Sequence, residues 1–449
     1  MKFIQNLIKV ILASLFNYGS SFIIGLILPM VLSVHDYGRY RQYTLFLSFA
    51  YILNIGFNDG IYIKYGGKDK KDLDIDTIKD EHNFLVFYQL LITLVLTILA
   101  LLYGDPIYMW FSISAFFILI NTYHQNFRQA IGDFHVYSYS TMLTSVLYTS
   151  LLLMTIFIFQ NSNYQVYIFL TLLSYIILFL IYEVYFSREF GISKQFSSQR
   201  KLQLIKVGMF ILIGNMSMAY VGNAGNWLVN IFFDLESFAQ YSFQNSLLNI
   251  SLLIVSAISL VFYNLLAANS SKTIMDAVIT ACVVIGEVSG IGYFVIYFFV
   301  STVLPKYMLS LPILSVTFLA LPFIILSNIL LMNLYKVKVD GKIYLRNSVL
   351  FAITSTIIIL ALLTIFGTLI SVAIGILVSY MLWVAYNFIV VFKDLNFKKK
   401  HLLSLAAYMV IHILVTTYMM NIFGFIVYIL FVIVQILLFR TEIAAMVKR

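Results

Sequence analysis

Polar side chains recur at helical spacing inside the first long apolar run of the chain. Asn17, Ser21 and Gly25 stand four residues apart, which places them on one face of a helix. Such groups can bind a polar ligand in an apolar surrounding. They can also hydrogen-bond a neighbouring helix that small residues allow to approach closely. For any one of these residues taken alone, helix packing is the default interpretation.

The second, seventh and eighth apolar runs carry similar polar faces. Tyr51, Asn54 and Asn58 share a face of the second run, and Asp59 stands beside them near its end. The other positions are Asn215, Gly222, Asn226 and Asn230 in the seventh run and Gln244, Asn245 and Asn249 in the eighth. Because the polar faces concentrate on four runs, a shared hydrophilic cavity explains them better than packing alone.

Glu287 stands at the middle of the ninth run, between Gly286 and Val288, and no Lys or Arg shares that run. A carboxylate at this depth needs a partner, a water-filled cavity or a proton. Two hypotheses follow. Glu287 is either a protonated side chain bonded to a neighbouring helix, or a group that couples transport to an ion gradient.

Arg39 and Arg41 follow the first apolar run. Their side chains could extend to lipid headgroups, with Asp36 as a partner. A guanidinium could instead form two parallel hydrogen bonds with a phosphate or a sugar carboxylate. Lys306 carries the same ambiguity.

The composition determines the elements that position these residues. Of the 449 residues, 62% are hydrophobic and 10% are charged, and the mean hydropathy is +0.96. No soluble domain buries that much apolar surface, so the chain is predicted to be an all-α integral membrane protein. About 20 apolar residues cross a bilayer, which predicts fourteen spans, with twelve as the alternative. The predicted spans are 9–33, 42–63, 83–103, 106–123, 135–159, 163–186, 206–232, 237–264, 276–301, 310–335, 345–366, 368–392, 402–420 and 421–440.

The distribution of basic residues predicts the orientation. With the N-terminus in the cytoplasm, 25 of the 28 Lys and Arg residues fall on cytoplasmic segments. Only Arg39, Arg41 and Lys306 lie outside. This bias follows the positive-inside rule and predicts that both termini are cytoplasmic.

Two weak internal sequence similarities indicate that the two halves of the chain are related. A shift of 201 residues aligns the segment after the first run with Phe238–Tyr241, and a shift of 207 aligns a second set of residues. That second set pairs Asn121, Asn126, Asp133 and Tyr137 with Asn328, Asn333, Asp340 and Tyr344. The predicted domains are a six-helix lobe at 1–186, a cytoplasmic linker at 187–206, a second six-helix lobe at 207–392 and two additional helices with a tail at 393–449. Paired halves around one central site are typical of transporters.

Several kinds of chemistry have no pattern in the sequence. The single cysteine, Cys282, excludes a disulfide framework, and the six histidines lack metal-ligand spacing. No phosphate-binding loop and no nucleophile with its base is present. The sequence therefore predicts no cofactor, no metal and no catalytic residue. The basic segments favour anionic lipid over nucleic acid as a partner.

Two segments resemble the polysaccharide-biosynthesis flippases of the Wzx type. The first is Leu28-Pro29-x6-Asp36-Tyr37-Gly38-x-Tyr40. The second is Leu304-Pro305-Lys306-Tyr307-x4-Leu311-Pro312-Ile313-Leu314, followed by the polar stretch Asn328–Tyr335. The resemblance extends over most of the chain in span order and loop length. That family belongs to the multidrug/oligosaccharidyl-lipid/polysaccharide exporter (MOP) superfamily, whose fold is MATE-like.

The resemblance implies two six-helix lobes that alternate between inward and outward states around a cavity lined by spans one, two, seven and eight. It implies an undecaprenyl-diphosphate-linked oligosaccharide, such as an O-antigen or capsule unit, as the substrate. The implied location is the bacterial cytoplasmic membrane, and the implied partners are the polymerase and other proteins of glycan assembly. The alternatives are a cation-coupled drug exporter of the same fold and, third, a membrane polymerase or glycosyltransferase, whose large external loop is missing here.

Overall fold

The computed structural model describes residues 19, 21–68, 70–191, 201–268, 272–395, 397–419 and 422–442. These residues are almost entirely helical and contain no strand, which confirms the predicted all-α class. Within them, ten helices are long and apolar enough to cross a membrane, and two shorter apolar helices accompany them. The protein is therefore a multi-pass membrane protein, and the count of fourteen spans stays a prediction.

The chain divides into two compact units, residues 1–216 and 217–449. The helices that begin in the first unit are α1 (Ser21–Val31), α2 (Val34–Phe49), α3 (Phe57–Tyr65), α4 (Ile75–Tyr103), α5 (Pro106–Ala130), α6 (Phe134–Phe157), α7 (Tyr164–Phe190) and α8 (Lys201–Phe232). The division falls within α8, beyond the predicted linker at 187–206. Residues 192–200 of that linker lie outside the described part of the chain.

The helices of the second unit are α9 (Leu235–Ala268), α10 (Lys272–Ser289), α11 (Ile291–Val303), α12 (Ser310–Ile325), α13 (Met332–Lys338), α14 (Gly341–Phe366), α15 (Leu369–Tyr386), α16 (Lys399–Tyr418) and α17 (Ile422–Leu438). Two π-helical segments, Leu326–Leu331 and Asn387–Val391, follow α12 and α15. The Ser310–Val337 stretch is the most buried of the ten long helices, whereas α4 and α14, like α8, are the least buried. We infer that α4 and α14 face lipid.

Local sequence explains where the helices begin and end. Gly104 ends α4 with a φ of 80°, and Asp105 then accepts a hydrogen bond from the Ile107 N–H at the start of α5 (3.0 Å). Gly367 separates α14 from α15 with a φ of 63°. The long apolar stretch at Gly367 is therefore two helices, as its predicted division requires.

The predicted span at 42–63 is not one continuous helix. The chain leaves the α-helix after Phe49, forms a 3-10 turn at Ala50–Asn54 and resumes as α3 at Phe57. Ile55 and Gly56 between them have φ angles of 48° and 85°, in the left-handed region. A break inside an apolar span frees backbone groups that only protein or enclosed water can satisfy.

Candidate functional site

The break between α2 and α3 is closed by a buried amide. The Asn54 Oδ1 atom accepts a hydrogen bond from the Gly56 N–H (2.8 Å), and its Nδ2 atom donates to the Tyr51 carbonyl (2.6 Å). Asn54 is fully buried. It therefore satisfies backbone groups that the missing helical turn leaves unpaired.

Glycines allow α8 to pack directly against this break. A Cβ atom on Gly56 would collide with the backbone of Met209, and one on Gly60 would collide with the Leu204 carbonyl. A Cβ atom on Gly208 would lie 2.5 Å from the Gly60 nitrogen. The backbone of α8 thus contacts the backbone of α3 with no side chain between them.

A group of polar side chains lies around the first turn of α3, and we name Tyr51, Asn54, Asn58, Asp59 and Asn126 the broken-helix cluster. Asn126, on α5, donates to the Tyr51 hydroxyl (3.2 Å) and to the Asn58 carbonyl (3.3 Å). The Asn58 Nδ2 atom donates to the Leu119 carbonyl (3.0 Å). The structure therefore brings together the predicted residues Asn54, Asn58 and Asp59. The sequence did not assign Asn126 a role, although the repeat had marked it.

Two oxygens of the broken-helix cluster have unused hydrogen-bonding capacity. Asn58 Oδ1 and Asp59 Oδ2 are buried and have no hydrogen-bond partner among the described residues. A carboxylate oxygen beside an amide oxygen, at the N-terminal turn of a half-helix within a span, can accept a proton, ligate a hard cation or receive donors of a polar substrate.

The second unit repeats one contact of this cluster. Asn333 donates to the Ser259 carbonyl of α9 (3.0 Å). The acceptor positions Asn58 and Ser259 are 201 residues apart, and the donors Asn126 and Asn333 are 207 apart. These are the two shifts read from the sequence. Equivalent contacts in both units support an internal repeat.

The predicted residues of α8 and α9 are held mainly by neighbouring helices. Asn226 accepts a hydrogen bond from Ser242 (3.1 Å), and Gln244 accepts one from Thr317 of α12 (2.9 Å). The Nε2 atom of Gln244 and the Nδ2 atom of Asn245 are buried and have no partner among the described residues. Asn230 is half-buried. Contacts with neighbouring helices therefore account for one polar atom of Asn226 and one of Gln244. The amide nitrogens of Gln244 and Asn245 remain as candidate donors to a ligand.

Arg39 and Arg41, the basic residues predicted at the outer end of the first unit, have different environments in the structure. Arg39 pairs with Asp105 (2.8 Å) and not with Asp36, because Asp36 accepts a hydrogen bond from Ser33 at the start of α2. The Arg41 Nε atom is buried and has no partner among the described residues. Ser21 is exposed on α1, and Asn17 lies outside the described residues.

Glu287 on α10 is fully buried against α16 and α17. The Ser404 hydroxyl lies 2.6 Å from Glu287 Oε1 and 2.8 Å from Gln435 Oε1. A serine has only one hydrogen to donate. Ser404 can therefore donate to only one of these two oxygens at a time. Both hypotheses for Glu287 stay predictions.

A second buried polar network follows the two π-helical segments, and the sequence did not predict it. Tyr335 donates to Asn387 (2.7 Å), Asn347 donates to Tyr335 (2.9 Å), and the Trp383 indole donates to Ser327 (3.1 Å). π-Helical turns frequently mark functional sites. The only sequence signal was the polar stretch Asn328–Tyr335.

A buried ion cluster connects the ends of α5, α6 and α7. Arg128, which is fully buried, pairs with Glu189 and with Asp133 (2.9 Å), and Lys70 contacts Asp133 (2.9 Å) and Glu189 (2.8 Å). Burial alone would raise the pKa of the Asp133 carboxyl, but the hydrogen bond from Lys70 and the nearby Arg128 charge hold it below its usual range. The cluster therefore remains ionised at neutral pH.

Solved structures provide the comparison with known proteins. The lipid II flippase MurJ in an inward closed conformation matches with a TM-score of 0.66 and 16% identity, covering 98% of this chain and 100% of that one. An inward-facing multidrug resistance MATE family transporter matches with a TM-score of 0.59 and 15% identity, covering 88% and 95%. A MOP superfamily transporter from Pyrococcus furiosus matches with a TM-score of 0.52 and 13% identity, covering 89% and 94%. No family model matches the sequence, and no match to a curated protein is significant.

These likenesses show the fold of the protein. The chain has the fold shared by the flippase MurJ and the MATE and MOP superfamily transporters compared above. The fold that the Wzx-type resemblance implied is therefore confirmed. At such low identity, the likeness carries the architecture and not the substrate.

Proposed function

We propose that this protein is a flippase that moves an undecaprenyl-diphosphate-linked oligosaccharide from the inner to the outer leaflet of the bacterial cytoplasmic membrane by alternating access. The observation that carries the proposal is the extent of the likeness to MurJ, which covers nearly the whole of both chains. The two other transporters compared above leave roughly a tenth of this chain uncovered.

The additional helices α16 and α17 pack closely against the other helices of the second unit, which supports a role for them in the proposed transport. Tyr408 of α16 donates to the Phe318 carbonyl of α12 (2.6 Å), and Tyr428 of α17 donates to the Glu287 carbonyl (2.7 Å). A buried polar contact is costly to separate once its partners have lost water. We therefore assign α16 and α17 to the transport unit and not to a detachable appendix.

That spans one, two, seven and eight line one cavity stays a prediction. We propose that, within the first unit, Asp59 and Asn58 of the broken-helix cluster serve substrate or ion binding, and that, within the second unit, Gln244 and Asn245 supply amide donors. Few basic residues stand inside the spans. The diphosphate is therefore recognised by amide donors, with Arg41 at the outer end, and not by a set of buried lysines.

Cation-coupled drug export is the second candidate function, and the unpaired Asp59 oxygen favours it. A buried carboxylate in a transmembrane helix is a common cation or proton site in transporters. The same residue serves a flippase that is driven by an ion gradient, so Asp59 alone does not separate the two candidates. The identity of the transported molecule distinguishes the flippase from the drug exporter.

Deletion of the gene tests the proposal. We expect the deletion strain to accumulate a lipid-linked glycan on the inner leaflet, and plasmid-borne wild-type protein to clear it. Drug resistance is measured in the same strains. Loss of resistance with normal glycan export would contradict the proposal and establish the exporter.

A further inference from the structure

Three side chains that can ligate a metal converge in the first unit. His82 lies on α4, His124 on α5 and Glu183 on α7. The Nε2 atom of each histidine lies 2.9 Å from the same Glu183 oxygen, Oε1. One ligand atom from each of the three residues lies within 4.8 Å of the other two.

We propose that His82, His124 and Glu183 bind one divalent transition metal ion of the zinc type. Two imidazoles and one carboxylate are a donor set that zinc prefers, whereas magnesium and calcium prefer oxygen ligands alone. Three protein ligands leave a fourth position for water. The predicted absence of a metal site rested on spacing along the chain, and the fold brings these distant residues together.

The existing geometry needs only a small adjustment to receive the ion. Zinc bonds of about 2.0–2.2 Å in a tetrahedron separate neighbouring ligand atoms by roughly 3.3–3.6 Å. The two nitrogen–oxygen distances are 2.9 Å, so each imidazole must retreat by about half an ångström. On binding, each neutral imidazole moves its proton from Nε2 to Nδ1, and the Nε2 lone pair takes the metal. The Nδ1 atom of His124 is buried with no partner among the described residues, so its N–H in this tautomer must find an acceptor such as water.

Aromatic rings hold the two imidazoles in place. Phe186 stacks on His82 at a ring-centre distance of 4.4 Å, and Tyr182 stacks on His124 at 5.3 Å. Tyr123 contacts both histidine rings. Packed walls fix the ring orientations before an ion arrives, which lowers the cost of ordering the site.

The site has a route to solvent. The Glu183 side chain is 27% exposed, whereas both histidines are buried. His82 stands seven residues after the start of α4 and Glu183 seven before the end of α7, which is about 10 Å along each helix. An ion can therefore enter from the helix ends that carry the predicted cytoplasmic loops. It would fasten α4, α5 and α7 together at that end.

Cobalt titration of the purified full-length protein tests this site. The protein is prepared without a histidine tag, treated with a chelator and titrated with Co²⁺ alone, whose visible absorption reports a four-coordinate nitrogen and oxygen site. We expect one Co²⁺ per chain, displacement of cobalt by Zn²⁺, and a rise in Tm on adding Zn²⁺. His124→Ala should abolish the absorption. His135→Ala removes an exposed histidine of the same unit and should change nothing.

Isosteric variants distinguish loss of the metal site from loss of folding. His82→Gln and Glu183→Gln keep the size and polarity of their sites, and each should lower Co²⁺ affinity at least tenfold while circular dichroism stays that of the wild type. Failure of the wild type to bind Co²⁺, or undiminished binding by both Gln variants, would overturn the proposal and leave a hydrogen-bonded triad. Neither readout involves transport, so the metal site and the proposed function can fail separately.

Discussion

Glu287 is a buried carboxyl that forms no salt bridge among the described residues. Its Oε1 atom contacts Ser404, and its Oε2 atom is buried without a partner among the described residues. A protonated carboxyl leaves only a neutral carbonyl oxygen unpaired, whereas an ionised one would leave a buried charge. The side chain then links α10 to α16 and, through Gln435, to α17.

Substitution of Glu287 separates packing from ion coupling. Glu287→Gln should leave Tm and glycan export near the wild-type values, because the amide oxygen can accept from Ser404 as the carboxyl oxygen does. Glu287→Leu should lower stability by about 1–3 kcal/mol, since Ser404 loses its acceptor. Thermal unfolding in detergent and glycan export in cells measure the two effects. Normal yield with lost export in the Gln variant would establish coupling instead.

Asp59 is the residue on which we place the transport chemistry. Asp59→Asn removes the charge and retains the shape, so it should reduce glycan export about tenfold or more, equivalent to about 1.4 kcal/mol of lost binding or coupling. Asp76→Asn, an exposed acid at the start of α4, is the control and should be neutral. Export by Asp59→Asn equal to that of the control would exclude this role.

Individual site residues could be found from the sequence only where spacing along one helix carries the signal. Asn54 and Asn58 share a face of their run, and the structure places both in the broken-helix cluster. The Arg39–Asp105 pair and the His82–His124–Glu183 group join residues from different helices. No periodicity within one helix reports such tertiary neighbours.

At the scale of elements, the contact between α3 and α8 depends on glycine. A Cβ atom on Gly208 would lie 2.9 Å from the Gly56 carbonyl carbon and closer still to the Gly60 nitrogen, and helix backbones cannot yield as a flexible side chain does. By contrast, a Cβ atom on Gly222 of the same helix meets nothing within 4 Å. Gly208 and Gly222 therefore provide a test position and its control on the same helix.

Alanine at these two positions should have opposite effects. Gly208→Ala should destabilise the protein by about 1–3 kcal/mol through overpacking. Gly222→Ala should be neutral or stabilising by up to about 1 kcal/mol, because alanine favours the helix. Tm and detergent-soluble yield provide the measurement. Equal Tm values for both variants would contradict the close α3–α8 contact.

The long helices could be predicted from the sequence because apolar length alone defines them. The break at Ala50–Gly56 could not, since it contains no proline and only one glycine. It exists because Asn54 satisfies the freed backbone and α8 packs against the gap. Both π-helical segments were missed for the same reason, because tertiary contacts around Tyr335, Asn387 and Trp383 stabilise them.

At the scale of the whole molecule, the charge partition predicts an orientation that single cysteines can test. Cys282 is buried and is first replaced by serine. Ser162→Cys, in the predicted external connection between α6 and α7, should react with an impermeant thiol reagent in intact cells. Lys71→Cys should react only after permeabilisation. The reverse pattern would invert the predicted topology.

The most direct test of the central claim is flipping by the purified protein. Proteoliposomes are loaded with the lipid-linked glycan that accumulates in the deletion strain, and an impermeant glycan-modifying enzyme reports how much reaches the opposite leaflet. We predict transfer by the wild-type protein well above protein-free liposomes, with Asp59→Asn reduced and Asp76→Asn unchanged. Transfer no faster than in protein-free liposomes, by protein that still transports a cationic drug, would contradict the account.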